Sequence, residues 1–334
     1  MTQSVGDTEL AHTPEMVPQE SAKEIRGRSL WQIALRRLRR DKAAMFGAVL
    51  VLIFVILALI RPLLDLVAGV DPFTFDSKAI NDSGLPLGFL GGVSGNHWLG
   101  VEPSTGRDLM ARLLYGVTTS LAVSVVSAIV AVGVGVVTGI AAGYFGGWVD
   151  GLISRIVDIL LGFPQLLFLI ALTPLIANRL DDTFGIDTTN PFWRGLILVV
   201  VISFFGWPYF TRVIRGQVLS LREREFVDAA RTVGASGPHI LFRQILPNLW
   251  APIIVFTSLI IPVYITLEAS LAYLGVGFVT PTPSLGVILS DAVSWSTVVP
   301  TYFFLPGIVL FLIVLGFNIF GDGLRDALDP RSSH

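Results

Sequence analysis

The chain has 334 residues, of which 53% are hydrophobic and only 14% are charged, whereas about a quarter of the residues of a soluble domain are charged. This deficit excludes an ordinary soluble domain and indicates a chain that lies in lipid. The net charge of −2 distinguishes no class of partner, and the absence of cysteine excludes disulfides and thiol chemistry. The four scattered histidines predict no metal site.

The N-terminal part of the chain divides into two segments before the first apolar run. Residues 1–28 are rich in Glu, Ser, Thr and Pro, and we predict a disordered cytoplasmic tail. Residues 29–42, containing SLWQIALRRLRR, are basic and amphipathic. They are expected to lie on the inner membrane surface, with docking to a partner as the alternative. The apolar run from Ala43 to Ile60 is longer than a signal-peptide core and predicts a retained anchor.

Six segments are long and apolar enough to cross a bilayer, which takes about 20 residues. They form a domain over 43–321, with spans at about 43–66, 118–143, 152–177, 194–217, 250–273 and 304–321. Eight Lys and Arg residues precede the first span and six lie within 211–248, but none lies within 274–303. The positive-inside rule then predicts an all-α membrane protein with both termini, the 218–249 loop and the 322–334 tail in the cytoplasm. Residues 67–117, 178–193 and 274–303 would face outward.

Glycines and prolines mark the spans. Three glycines at four-residue spacing share one face of the second span and predict close helix packing, namely Gly135, Gly139 and Gly143. Five prolines are expected to interrupt the third, fourth and fifth spans, namely Pro164, Pro174, Pro208, Pro252 and Pro262. Broken helices are tolerated where they line a cavity or a moving interface, so the pattern favours a transporter over a simple anchor.

Three charged residues within the spans are candidates for substrate contact or gating. Arg155 and Asp158 lie three apart on one face of the third span, which predicts a mutual ion pair, with gating as the alternative. Glu268 lies about 25 Å along the fifth helix, which predicts a position near the outer interface. We expect it to have a structural hydrogen-bonding role, with contact to a cationic substrate group as the alternative.

The polar segment 222–248 predicts two short cytoplasmic helices. The apolar residues of the first follow helical spacing on one face, namely Phe226, Ala229, Ala230 and Val233. Gly234 would cap this helix, Ser236 and Pro238 would begin the second, and Pro247 would end it. A DNA-binding helix-turn-helix is excluded because apolar spans flank the segment within a few residues.

The stretch DAARTVGAS…ILPN resembles the EAA loop of permease subunits of binding-protein-dependent ABC importers. The residues in register are Asp228, Ala229, Ala230, Gly234, Leu246 and Pro247. Two positions depart from the pattern, because Asp228 replaces the usual Glu and Gln244 occupies the Ile position, beside Ile245.

Residues 30–331 are also similar to the C-type permeases of dipeptide and oligopeptide (peptide/nickel-type) importers. The similar stretches are HWLGVEPSTGRDLMARLLYGVTTSL, EASLAYLGVGFVTPTPSLGVILSDA and GDGLRDALDPR. The resemblance implies a type I importer permease fold in the inner cell membrane. It also implies a second homologous permease, two ATPase subunits and an extracytoplasmic substrate-binding protein as partners, beside membrane lipid and without nucleic acid.

The same resemblance implies how energy reaches the chain. The EAA loop would dock into a groove of an ATPase subunit through Glu225, Asp228, Ala229, Ala230 and Gly234. The sequence contains no G-x-x-x-x-G-K-[ST] phosphate loop, so we expect no cofactor on this chain, with ATP and Mg used by the ATPase subunits. The chain would then be no enzyme by itself, although the whole complex would be an ATP-driven translocase.

Two outward segments have predicted positions. The amphipathic run RDLMARLLYG (107–116) is expected to lie along the outer interface before the second span. Residues 274–303 carry Asp291 and Trp295 but no Lys or Arg. They would form either a loop that meets the binding protein or a cap packed against the outer ends of the spans.

Peptides are the expected cargo, and nickel, glutathione and glycosides are the alternatives within the family. An ion-coupled secondary transporter is the less favoured alternative. Such proteins place carboxylates near the midplane and often contain inverted repeats, and the sequence shows neither feature. A membrane-embedded enzyme is disfavoured, since neither H-E-x-x-H nor G-x-S-x-G occurs.

Overall fold

The computed structural model describes residues 30–68 and 71–328, and within these ranges every regular element is a helix. Short 3₁₀ and π-helical turns occur at Ser77–Ala79 and Ile240–Ile245. The helices are α1 (Leu30–Arg40), α2 (Lys42–Ala68), α3 (Leu109–Phe145), α4 (Gly147–Leu161), α5 (Gln165–Phe184), α6 (Pro191–Arg222), α7 (Glu225–Thr232), α8 (Gly237–His239), α9 (Leu246–Tyr273), α10 (Leu285–Val293) and α11 (Pro300–Leu328). The predicted tail 1–28 and residues 329–334 lie outside the described residues. Helix α11 extends to Leu328 and therefore includes the start of the predicted C-terminal tail.

Five helices of the described residues are long and apolar enough to cross a membrane, or six if α4 and α5 form one broken span. The prediction of an all-α membrane protein is therefore confirmed, whereas the orientation of the termini stays a prediction. We call the end of the bundle with α10 and the 71–108 loop the outer end. The end with α7 and α8 is the inner end.

The three predicted packing glycines of α3 lie against α6. A Cβ atom added at Gly139 would lie 2.8 Å from the Cβ of Ile214, and one at Gly143 would lie 2.8 Å from the Cβ of Val218. A Cβ at Gly135 would lie still closer to Phe210. These distances are too short for any larger residue, so glycine allows the backbones of α3 and α6 to approach each other along the inner half of α3.

The third predicted span is broken rather than straight. Helices α4 and α5 meet at an angle of 89° across the Gly162–Phe163–Pro164 segment. Pro164 lacks an N–H group and disfavours helical geometry in the residue before it, so the helix ends here. The other four prolines, Pro174, Pro208, Pro252 and Pro262, lie inside continuous helices, and the prediction that they interrupt the spans is wrong. In an apolar bundle, neighbouring groups compensate for the single hydrogen bond that each proline removes.

Residues 107–116 do not form a separate interfacial helix. Asp108 caps α3 by accepting a hydrogen bond from the backbone N–H of Ala111 at 2.7 Å, and the helix then continues to Phe145 without a break. Arg112 and Gly116 are already buried. The run appears amphipathic and interfacial in the sequence because the elements that cover it, α10 and α11, come from the far end of the chain.

Pro247 does not end the second cytoplasmic helix. The apolar helix runs from Gly237 to Tyr273 through the π-helical turn, and Pro247 is the second residue of α9. Pro247 removes one hydrogen bond from this helix, and the π-helical turn directly before it accommodates the change in backbone geometry. Helix α8 is therefore joined directly to the membrane helix α9.

Candidate functional site

Helix α7 forms where the spacing predicts, and Gly234 shapes its end. Glu225 and Asp228 lie in the first turn, where the helix dipole favours acidic residues. Gly234 has a φ of +81°, and its N–H donates to the carbonyl of Arg231 at 2.9 Å. The N–H of Ala235 then donates to the carbonyl of Ala230 at 3.0 Å. This is a Schellman cap, in which glycine is the usual residue at the left-handed position.

The inner face of α7 is anchored to the membrane helices. Val227 is fully buried and Ala230 nearly so, in a cluster that includes Val218 of α6 and Leu249 of α9. The predicted apolar face of α7 is thus split, because Ala230 points inward and joins Val227, which the helical spacing alone did not place there. Burial of both residues ties α7 to the inner ends of two spans.

The remaining apolar residues of α7 point outward. Phe226 is 39% exposed and Val233 is 84% exposed, and Ala229 lies exposed between them. We call Phe226, Ala229 and Val233 the coupling strip. An exposed apolar strip on a polar helix is a candidate interaction surface.

Two further contacts join residues 222–248, which we call the inner segment, to α3. The hydroxyl of Tyr144 donates to the carbonyl of Gly237 at 3.1 Å, and Arg222 donates to the carbonyl of Gly143 at 3.2 Å. The inner segment therefore touches α3, α6 and α9 together. Of the other motif residues, Leu246 is half-buried and Pro247 is exposed at the start of α9.

The predicted ion pair between Arg155 and Asp158 is wrong. Asp158 instead accepts a hydrogen bond from Arg212 of α6 at 2.6 Å, while Arg155 is exposed. Nearby, Arg215 of α6 makes two hydrogen bonds to Asp150 of α4. Helix α4 lies along α6, so its acidic residues find partners across the helix interface rather than one turn along the same helix.

Glu268 lies in different surroundings from those predicted. It is fully buried under α10 rather than at the outer interface, where the cost of a carboxylate would be lower. Its Oε2 accepts a hydrogen bond from the hydroxyl of Ser120 at 2.6 Å. Two further buried serines, Ser124 and Ser127, follow Ser120 along the same face of α3. That run of serines in an apolar helix was the sequence signal for a polar partner of Glu268.

Comparisons with known families bear on this geometry. Residues 135–334 match the family described as "Binding-protein-dependent transport system inner membrane component". The chain belongs to this family. Residues 29–82 also match the N-terminal transmembrane domain of oligopeptide transport permease C. The resemblance drawn from the EAA-like loop is thus confirmed, and a permease of this family works in the inner membrane with a binding protein and ATPase subunits.

Individual relatives are similar to this permease over nearly its whole length. The dipeptide transport system permease protein DppC of Alkalihalophilus pseudofirmus is 36% identical over 303 residues, which cover 91% of this chain and 90% of the relative. The glutathione transport system permease protein GsiD of Salmonella paratyphi A is 37% identical over 304 residues, 91% of each chain. Its counterpart in Shigella flexneri is 36% identical over the same share.

The outer end of the permease contains a buried ion network that the sequence did not reveal. Glu102 accepts hydrogen bonds from Arg107 at 2.5 Å and from the hydroxyl of Tyr302 at 2.7 Å, and it lies 3.4 Å from Arg112. Burial alone would raise the pKa of Glu102, but the charge of Arg112 and the hydrogen bonds from Arg107, Thr105 and Tyr302 together hold this pKa below its usual value. The network joins the 71–108 loop to α3 and α11.

Replacing Glu102 by Gln should lower the apparent melting temperature of the purified permease by a few degrees at pH 7, because a buried hydrogen bond to a charged group contributes about 2 kcal/mol. The folded-state pKa of Glu102 is lowered, so its ionised form stabilises the fold fully above the usual value of 4.5. That stabilisation disappears as the pH falls through the lowered pKa. The difference between wild type and variant should therefore shrink in acid, while the exposed control Asp182→Asn changes little. A difference that stays constant down to pH 3 would contradict this role.

Proposed function

We propose that this permease moves di- or oligopeptides across the cytoplasmic membrane, driven by ATP hydrolysis in separate ATPase subunits that dock on the coupling strip. The observation that carries the proposal is an outward apolar strip on a helix whose opposite face is anchored to the membrane helices. The sequence contains no phosphate loop, so energy from ATP would reach this chain through such a contact.

The contacts of α7 suggest how the force is passed on. A groove of the ATPase subunit would enclose Phe226, Ala229 and Val233, with Glu225 and Asp228 at the rim. When the ATPase dimer closes around ATP and Mg, α7 would move with it. Val227 and Ala230 would carry that displacement to the inner ends of α6 and α9, because packed interiors transmit strain rather than absorb it.

The rest of the assembly follows from the family. Two ATPase subunits, a second homologous permease and an extracytoplasmic binding protein would complete the transporter. The two permeases would enclose the path between them and alternate between inward-open and outward-open states. ATP and Mg would be bound by the ATPase subunits, and this chain would carry out no chemical step.

Small peptides are the cargo that the relatives support. One similar protein is named a dipeptide permease and others are named glutathione permeases. Glutathione is itself a tripeptide, so both names point to short chains with peptide bonds and free charged ends. Glutathione is therefore the second candidate cargo.

Transport by the reconstituted complex tests this proposal. Proteoliposomes that hold the two permeases and the ATPase subunits, with the binding protein outside and ATP inside, should import a labelled dipeptide or tetrapeptide faster than glutathione. Faster import of glutathione would select the second candidate. Import that persists without ATP and follows an ion gradient would contradict ATP coupling and favour a secondary transporter.

Val233→Asp should weaken the binding of the ATPase subunits roughly thirtyfold, because a charge in an apolar contact costs about 2 kcal/mol at an interface hot spot. Thr232→Asp is the matched control, since it adds the same charge one residue earlier on the exposed polar face. Co-purification of the ATPase subunits with each tagged variant measures the effect. Equal losses in both variants would show that the strip is not the docking surface.

A further inference from the structure

Helix α10 closes the outer end of the bundle, and its N-terminal end lies in a groove between α3 and α9. Leu285, Ile288 and Ala292 are fully buried against α3, α9 and α11. The groove is narrow, because a Cβ atom on Gly286 would lie 2.7 Å from the Cα of Ala269 in α9. On the other side, a Cβ on Gly116 of α3 would lie 3.1 Å from the backbone of Ser284.

One serine hydroxyl connects all three of these helices. Ser120 of α3 donates to Oε2 of Glu268 in α9 at 2.6 Å and accepts from the backbone N–H of Leu285, the first residue of α10, at 3.2 Å. Thr119 adds a hydrogen bond to the carbonyl of Pro283 at 2.8 Å. The start of α10 is thus fixed by directed polar contacts as well as by apolar packing.

Stability alone does not account for the carboxyl group of Glu268. Its Oε1 has no hydrogen bond of normal geometry, although the hydroxyl of Ser284, the residue that caps α10, also interacts with this carboxyl group. Glu268 is the single charged residue of α9, and α3 and α10 each contain one, Arg112 and Asp291. Neither of these makes a hydrogen bond or ion pair to Glu268 in the described part of the chain. A buried polar group of this kind costs free energy that an apolar side chain would avoid.

The opposite half of α10 has weaker polar contacts, although Ala292 is buried and the hydroxyl of Ser290 donates to the carbonyl of Tyr273 in α9 at 3.3 Å. Asp291 lies 3.9 Å from Arg112, beyond hydrogen-bonding distance, and its side chain is 39% exposed. Three nitrogens of the Arg112 side chain are buried without a hydrogen bond. A helix whose polar contacts are stronger at its first residue than near its last can rotate about the first residue.

We propose that Glu268 is a positioning residue for transport, which through Ser120 fixes the end of α10 about which the outer end opens and closes. Glu268 is the acceptor that orients the Ser120 hydroxyl, and the Ser120 oxygen in turn receives the N–H of Leu285. Glu268 is fully buried, so it acts through the residues packed around it. The inference rests on the proposed permease cycle but not on the identity of the cargo.

A cysteine reporter can follow the position of α10. The chain has no cysteine, so Ala292→Cys introduces a single buried thiol on α10. In the assembled complex without nucleotide, a membrane-impermeant maleimide should label this thiol slowly. Adding Ser120→Ala should raise the labelling rate about five- to tenfold, because losing the hydrogen bonds increases the fraction of time that α10 is open.

Ser124→Ala is the matched control for Ser120→Ala. Both serines are fully buried on the same face of α3, but the hydroxyl of Ser124 has no hydrogen-bond partner in the described residues. The control should leave the labelling rate within about twofold of the starting value. Equal acceleration by both substitutions would overturn the proposal, since it would show only that α3 packs less well.

Substitutions of Glu268 separate its acceptor role from its charge. Glu268→Gln keeps an oxygen for the Ser120 hydroxyl and should keep labelling and import near the wild-type values. Glu268→Leu removes the acceptor, and it should speed labelling as Ser120→Ala does and lower the amount of cargo imported per ATP hydrolysed severalfold. If Gln behaves as Leu does, the acceptor role is wrong. Labelling is independent of cargo and of ATP, so this proposal and the proposed function can fail separately.

Discussion

Replacing Gly234 by Pro is expected to stop ATP-driven transport almost completely. The φ of Gly234 is +81°, whereas proline is restricted to about −65°, and proline also removes the N–H that donates to Arg231. The cap of α7 would be lost at a cost of about 3 kcal/mol or more, and the coupling strip would change direction. Import, ATP hydrolysis stimulated by the binding protein, and co-purification of the ATPase subunits measure the result.

Two milder substitutions at Gly234 show whether the backbone conformation is the cause. Gly234→Asn should transport nearly normally, since asparagine tolerates left-handed geometry. Gly234→Ala should be intermediate, with a strain of about 1 kcal/mol. An added Cβ atom has nothing within 4 Å, so neither variant introduces a clash. Wild-type transport by the proline variant would count against docking through α7.

Gly139→Val is expected to prevent stable folding of the permease. The new side chain would begin 2.8 Å from the Cβ of Ile214 and 2.9 Å from the carbonyl oxygen of Thr211, and neither helix can move away without separating the glycine contacts on both sides. Overpacking of this kind costs about 1–3 kcal/mol even where a core relaxes, and here the obstacle includes backbone. The yield of monodisperse protein in mild detergent should fall more than tenfold.

The same helix supplies the control for this prediction. Gly133 also lies in α3, but an added Cβ atom there has nothing within 4 Å. Gly133→Val carries the same propensity change and should leave the yield and the melting temperature nearly unchanged. Similar losses in both variants would attribute the defect to helix propensity rather than to the contact between α3 and α6.

Features that depend on local physics can be predicted from the amino-acid sequence alone. Apolar length predicts the membrane helices, because about 20 residues are needed to cross the bilayer whatever their neighbours are. The spacing of Gly135, Gly139 and Gly143 predicts one packing face, since helical periodicity is a property of the backbone. Gly234 predicts the end of α7 because glycine adopts the left-handed conformation at the lowest cost.

The partners of the polar groups could not be predicted in this way, because they lie on helices distant in the sequence. Asp158 pairs with a residue 54 positions away, Glu268 with one 148 positions away, and Glu102 with one 200 positions away. Sequence spacing reveals only contacts about one helical turn apart, and for this reason an ion pair between Asp158 and Arg155 was predicted. It also placed Glu268 at an interface, although α10 covers it. In an apolar bundle each buried polar group needs a partner, and which group is near enough depends on how distant helices pack.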